Sequence, residues 1–418
     1  MSILSLFRKR APHNYLAEDH ARRAIASGEY SPQHIETLLT LARSRNKQHD
    51  IVHIYRQLQR MGDAKSINQK ELDYALKADA QKCAYWQTKG DKQLCIGVLY
   101  HQDWLRPLSA GIVKQAAGYG HVFETNSEKE LIRAKPDAVL STLISRRAML
   151  KLRRALPDTF WVYLRHGFAN KRSSFPLAGA FDAVCVSSPY VSNMYTDRGL
   201  FPPRDVWVTG YPALDPLAMQ QHQTSQQPRT ILYAPTVNSS LSSASMGPML
   251  LQHILNSAID IRVIVKLHPG TFQTDPAIWQ SWQNACAKEE RAQFVDDQAA
   301  NLLDLFEKTD LMISDFSSTA FSFLATDRPI VLITQHGAMA DHGSFNPDGI
   351  EWKWRDMAEE VRDISALTPV LRKILAGRDD YATARAKYRK LLFDGTLDGN
   401  SSARVMQRLG QVFGRATA

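Results

Sequence analysis

The sequence predicts an α/β protein: two doubly wound, parallel-sheet (Rossmann-like) domains in tandem behind a helical N-terminal extension. Short apolar, β-branched runs alternate with helix-like stretches from about Lys92 onward, the pattern of a parallel sheet covered on both faces. Two of those runs, Val263-Ile264-Val265-Lys266-Leu267-His268-Pro269-Gly270 and Leu311-Met312-Ile313-Ser314-Asp315-Phe316-Ser317-Ser318, stop abruptly in polar residues able to handle phosphate. Ligands of open α/β folds bind at the carboxyl ends of strands, so both sites are expected in one cleft. At 418 residues the chain is also too long for one ordinary core, and two or three domains are expected.

Taken in order, residues from about 15 to 78 read as several helices. Apolar residues recur there at helical spacing, as in Ile35, Leu38, Leu39 and Leu41-Ala42, and Ser31-Pro32 marks a capped helix start. Residues 1–90 are therefore expected to form the extension, packed on the domain behind it. The first Rossmann-like domain, 91–219, follows with strands expected at 93–100, 122–124, 138–141, 161–164, 183–187 and 206–209, and a helix from Pro189 to about Arg198. The polar, aperiodic stretch 220–228 reads as a linker. The second domain, 220–418, has strands expected at 231–233, 263–267, 292–295, 311–314 and 330–333, and ends in helices that include 381–392 and 401–413.

Composition narrows the function. A hydrophobic content of 44% with 22% charged residues excludes a disordered chain. No run approaches the roughly 18–20 apolar residues of a membrane span, and the first ten residues lack a secretory signal. Cys83, Cys95, Cys185 and Cys286 lie far apart without metal or redox spacing, so a reduced, cytoplasmic chain is expected. A net charge of +9 favours anionic partners such as nucleotides, phosphopolymers or anionic lipid. No aromatic-interleaved basic run is present, so no nucleic-acid partner is expected. The cluster Leu4, Leu6, Phe7, Arg8, Lys9, Arg10 is a short candidate for a membrane surface.

Three segments carry candidate chemistry. In Arg165-His166-Gly167-Phe168-Ala169-Asn170-Lys171 glycine allows a sharp turn, and His166 can project from a strand end as a base for a hydroxyl nucleophile. Lys171 adds positive charge near an expected phosphate. In Lys266-Leu267-His268-Pro269-Gly270 the proline forces His268 out of the α region and Gly270 opens the turn, holding an imidazole ready to donate to a phosphoryl oxygen. In Ser314-Asp315-Phe316-Ser317-Ser318 strand gives way to helix, and Ser317 and Ser318 reach a helix N-terminus that suits an anion. Each has a plainer alternative: a loop histidine bonding backbone, a turn histidine, an ordinary serine N-cap. Tyr233-Ala234-Pro235-Thr236-Val237-Asn238 and Val208-Thr209-Gly210-Tyr211-Pro212-Ala213-Leu214-Asp215 add hydroxyl, amide and carboxylate groups at two further strand ends.

Together these segments resemble the CDP-glycerol glycerophosphotransferase family, which includes teichoic-acid primases and polymerases and Gram-negative capsule-type relatives. The likeness rests on Arg165-His166-Gly167 with Lys171, Gly210-Tyr211-Pro212-Ala213-Leu214-Asp215, Tyr233-Ala234-Pro235-Thr236, Lys266-Leu267-His268-Pro269, Asp315-Phe316-Ser317-Ser318 and Asp398-Gly399-Asn400-Ser401. It covers roughly residues 93–409. Arg165 stands where the family has tryptophan, Ala213 where it has arginine, and Gln335-His336-Gly337 where it has a tyrosine-bearing segment.

The resemblance implies a GT-B fold with acceptor on the first domain and CDP-donor on the second. It implies His166 as base and His268 at the donor diphosphate. The donor side is then expected to use Ser317, Ser318, Asp315, Thr236, Asn238, Lys266, Pro269 and Gly270, and the acceptor side Arg165, Gly167, Lys171, Gly210 and Asp215. The expected reaction transfers a polyol phosphate, most simply glycerol phosphate, from a CDP-activated donor to a glycan or lipid-linked hydroxyl, releasing CMP. That places the chain at the inner membrane face, against an anionic surface. A nucleotide-sugar transferase on the same scaffold and a non-catalytic assembly subunit are the alternatives. No resident cofactor is expected. Asp296-Asp297 is the nearest metal candidate, and adjacent strand-end residues point to opposite faces.

Overall fold

The structure, a computed structural model, describes residues 12–142, 145–168, 177–196, 203–218, 229–237, 240–298, 300–335, 337–338, 346 and 348–415. Residues 4–10, Lys171, Asn238, His336, the linker 220–228 and the end of the helix expected to reach Arg198 lie outside these. The chain divides into two compact units, one of Met1–Arg165, Arg172–Pro212 and Asn400–Ala418, the other of His166–Lys171 and Ala213–Gly399.

The first unit opens with four helices, α1 (Pro12–Ser27), α2 (Pro32–Ser44), α3 (Gln48–Arg60) and α4 (Gln69–Gln87). Proline starts α2 and its buried residues Ile35, Leu38, Leu39 and Ala42 fall on one face. They join Ile51, Ile54, Tyr55 and Leu58 of α3 in a core of their own. Polar side chains tie this bundle to the sheet: Lys47 donates to the Phe181 carbonyl at 2.5 Å, and His49 Nε2 lies 2.7 Å from Asp205.

The first sheet has six parallel strands in the order β2-β1-β3-β4-β5-β6. They are β1 (Leu94–Leu99), β2 (Gly120–Thr125), β3 (Ala138–Ser141), β4 (Phe160–Leu164), β5 (Ala183–Val186) and β6 (Val206–Val208). Its core differs from the expected domain boundary in one respect. The last helix, Ser401–Val412, was expected with residues 220–418 but belongs to this unit. Val405, Met406, Leu409 and Phe413 pack with Leu94, Ile96, Val162 and Trp207, and each such side chain contributes about 1.5–3 kcal/mol on burial.

The second sheet also has six parallel strands, ordered β12-β11-β10-β7-β8-β9. They are β7 (Arg229–Tyr233), β8 (Ile261–Val265), β9 (Ala292–Phe294), β10 (Leu311–Ser314), β11 (Ile330–Ile333) and β12 (Glu359–Val361). Counted within the unit this is 3-2-1-4-5-6, the dinucleotide-binding order, with its topological switch between β7 and β10. Strand β8 begins two residues earlier than expected, so Lys266 and Leu267 follow the strand instead of ending it.

Candidate functional site

The carboxyl ends of β7, β8 and β10 meet at the switch point of the second sheet. Ser314 Oγ donates to the Ala234 carbonyl at 2.7 Å, and Ala234 N–H to the Ile313 carbonyl at 3.0 Å. These bonds lock the β7 and β10 ends together. The β8 end joins them through Gly270, where an added Cβ would lie 3.0 Å from Val237 Cγ2.

His268 caps the helix Pro269–Thr274, its Nδ1 accepting the Gly270 N–H at 2.9 Å. In the neutral ring that acceptor role places the proton on Nε2 and makes Nε2 the donor. Pro269 and Gly270 therefore act by orienting His268. Ser317 caps the helix Ser318–Phe323, its Oγ accepting the Thr319 N–H at 3.3 Å.

Asp315 has a different place from the one expected. Its carboxylate does not present itself to a ligand: Oδ1 accepts the Thr236 N–H at 2.8 Å. Oδ2 accepts the Ser243 N–H at 2.8 Å and the Ser243 hydroxyl at 3.0 Å. It pins the loop after β7, and Thr236 enters through its backbone. Burial pushes the Asp315 carboxyl up to about 6, against the Ser243 and Thr236 hydrogen bonds and Arg355, which favour the charged form.

A carboxyl raised on folding stabilises the fold while protonated, fully below its unfolded value near 4, and loses that contribution as pH rises through about 6. The stability difference between wild type and Asp315→Asn is therefore expected to shrink as pH rises from 4 to 6, read by urea unfolding. A difference that stays flat over that window would contradict the assignment.

Lys266 anchors the chain just after β9. Its ammonium donates to the Asp297 carbonyl at 2.7 Å, and burial lowers its pKa. Asp296 accepts from Trp279 Nε1 at 3.2 Å, so this acidic pair serves packing.

The first strand end that the sequence singled out divides between the units. Arg165 stays with the first, its guanidinium 6.0 Å from the centre of the Tyr195 ring. His166 and Gly167, expected on the first domain, cluster with the second. The reason is packing: Phe168 is buried edge-to-face against Phe393 at 5.5 Å. Gly167 lies so close to Ser318 that a Cβ there would be 2.8 Å from Ser318 Oγ. His166 is thus carried to the Ser317-Ser318 turn. Gly210, with φ of 89°, remains in the first unit, and Asp215 starts the short helix Asp215–Ala218 of the second.

Arg355 and Ser243 escaped the sequence reading. Arg355 donates to the Asp315 carbonyl at 3.1 Å, to Thr334 Oγ1 and Glu360 at 2.6 Å each, and lies 4.5 Å from the centre of the Phe316 ring. It props the turn from behind. No motif marks it; only a lone arginine amid Trp352, Trp354 and Met357 hints at a buried role.

Among the described residues, His49, Asp50 and Asp205 bring three possible metal ligands within 4.8 Å of one another. Lys47 Nζ lies 3.3 Å from Asp50 and 4.0 Å from Asp205, and Arg22 3.7 Å from Asp50. Protein cations already neutralise that cluster.

The family described as CDP-glycerol:poly(glycerophosphate) glycerophosphotransferase matches residues 164–411. The teichoic acid glycerol-phosphate primase of Bacillus spizizenii (strain ATCC 23059 / NRRL B-14472 / W23) is 32% identical over 117 residues, 27% of this chain and 27% of that protein. The matched stretch thus spans about a quarter of the primase. The wall teichoic acid polymerase TagF superposes with a TM-score of 0.56 at 15% identity, over 82% of this chain and 94% of that one. A putative UDP-N-acetylglucosamine 2-epimerase from Listeria monocytogenes gives 0.52 at 12% identity, over 76% and 96%. These structural likenesses show the fold, which is GT-B-like as expected.

Proposed function

The chain belongs to the CDP-glycerol:poly(glycerophosphate) glycerophosphotransferase family, and from that premise we propose that it transfers glycerol phosphate from CDP-glycerol to a hydroxyl of a cell-surface glycan or glycolipid. The observation that carries this reading is the approach of Gly167 to Ser318, which brings a basic side chain, His166, to the turn suited to a diphosphate. The acceptor oxygen attacks the distal phosphorus while its proton passes to His166. The bond from that phosphorus to the bridging oxygen breaks, and CMP leaves. The product is a phosphodiester.

His268, through Nε2–H, with Ser317 and Ser318, stabilises charge on the departing phosphate. Positioning and preorganised donors do most of the work in such a transfer. The reading routes no step through a metal: the carboxylate beside this site, Asp315, is occupied by the β7 loop. Turnover that survives chelation agrees with it.

Among the described residues no helix is long and apolar enough to cross a membrane. A lipid-linked acceptor would bring the chain to the inner membrane face as a peripheral protein.

Calorimetry with CDP-glycerol, CDP, CMP, UDP and UDP-sugars tests the donor. Preference for the cytidine series is expected, lost in His268→Ala and in the Ser317→Ala/Ser318→Ala double variant. Preference for uridine nucleotides would move the chain to sugar transfer, and absence of any nucleotide binding would overturn the enzymatic reading.

A further inference from the structure

The first unit carries charge that the proposed transfer does not use. Helix Arg146–Ala155 reads RRAMLKLRRA, with five cations and no carboxylate in 10 residues. Its apolar residues Met149 and Leu152 are fully buried, so packing accounts for that face. The opposite face is not explained by folding. Arg147, Lys151 and Arg154 are exposed and stand at i, i+4 and i+7, where like charges repel along one stripe. Arg147 also occupies the first turn, where the helix dipole disfavours cations. Two local rules broken on one helix mark a surface kept for function instead of stability.

The stripe runs into a cavity of about 430 Å³ whose wall includes Arg43, Arg45, Asn46, Arg153 and Arg154 and contains no carboxylate. That volume is in the range of small-ligand sites. Arg45 and Arg153 are buried in the wall and held rigidly: Arg45 by Glu18 at 2.9 and 2.6 Å, Arg153 by Asp182 at 3.0 and 2.9 Å. At the mouth Arg43 is held by Glu71 at 2.7 and 2.9 Å and reaches exposed Glu36 at 2.9 Å. Along the stripe Lys151 pairs with Glu128 at 2.8 Å, and exposed pairs such as Arg43–Glu36 and Lys151–Glu128 are worth little and exchange readily for another anion. Arg154 makes no hydrogen bond or ion pair with a described residue.

We propose that the cavity and stripe form a second anion site that takes a phosphate-bearing chain. One phosphate seats between Arg43 and Arg154, and its neighbours follow Arg154, Lys151 and Arg147. A bilayer surface fits less well, because the site is concave and the helix turns its apolar side chains Met149 and Leu152 inward instead of offering them to lipid. The inference depends on no step of the transfer.

Calorimetry of the full chain with inorganic tripolyphosphate, in excess CDP to occupy the nucleotide site and at several salt concentrations, tests it. Relative to wild type, Arg147→Gln/Lys151→Gln/Arg154→Gln is expected to bind about ten-fold or more weakly, with a shallower dependence on salt. Arg154→Gln alone should show a smaller loss in the same direction. Arg378→Gln/Lys387→Gln, exposed in the second unit, should match wild type. Unchanged affinity in the triple variant, or an equal loss in the control pair, overturns the site. So does binding to phosphatidylglycerol vesicles through these residues without binding of soluble tripolyphosphate, which would assign the stripe to a membrane.

Discussion

His166→Ala is expected to lower turnover of CDP-glycerol by about 10²–10⁴-fold, the usual cost of losing a general base, while the chain stays folded and binds CDP as before. The fully buried residue of its segment is Phe168, packed on Phe393, and His166 itself is only half-buried. Loss of rate without loss of nucleotide affinity therefore separates a chemical role from a structural one. Gly167→Ala provides the complementary case. It keeps the imidazole but sets a methyl 2.8 Å from Ser318 Oγ, so the serine must turn and nucleotide affinity should fall together with rate. Nearly full turnover in His166→Ala would remove the base from the reaction as written.

Asp315→Ala is expected to be the most damaging change to the second unit. Three donors, the Thr236 and Ser243 N–H groups and the Ser243 hydroxyl, converge on that carboxylate, which is only 2% exposed. The hydroxyl keeps the Tyr233 hydroxyl at 2.9 Å as a partner, but each N–H left buried without one costs about 1–3 kcal/mol, so several kcal/mol of stability should be lost. The β7 loop would also be released, weakening nucleotide binding in whatever fraction remains folded. Chemical unfolding combined with CDP titration reads both effects. A variant within about 0.5 kcal/mol of wild type, the range of neutral surface changes, would show that the loop is held by other contacts.

Much of the architecture was legible in the sequence because parallel strands buried on both faces read as unbroken apolar runs. Strands β3, β10 and β11 match their expected limits residue for residue. Where charge interrupts the run, the pattern fails. Exposed Arg262 hid the start of β8, and β12, Glu-Glu-Val at the sheet edge, carries too little apolar content to be seen.

The site divides in the same way. The helix caps at His268 and Ser317 were legible through their neighbours, since proline after a histidine and serine before a helix have local geometric meaning. Asp315 was recognised, but its direction was not, because a motif records order along the chain and not which way a carboxylate turns. Helix Ser401–Val412 was recognised as well, yet periodicity names a buried face without naming the sheet that buries it.

That helix has a consequence for biosynthesis. The ribosome delivers the last strand of the first sheet, Val206–Val208, long before the segment that covers its apolar face. Residues Ala213–Gly399 are complete in between, so the later sheet can close while the earlier one still waits. Leu94, Ile96, Val162 and Trp207 lack the packing of Val405, Met406, Leu409 and Phe413 until that segment is made, with Trp86, Ile112 and Ala116 of the earlier helices against them, a window in which exposed apolar surface invites aggregation or chaperone capture.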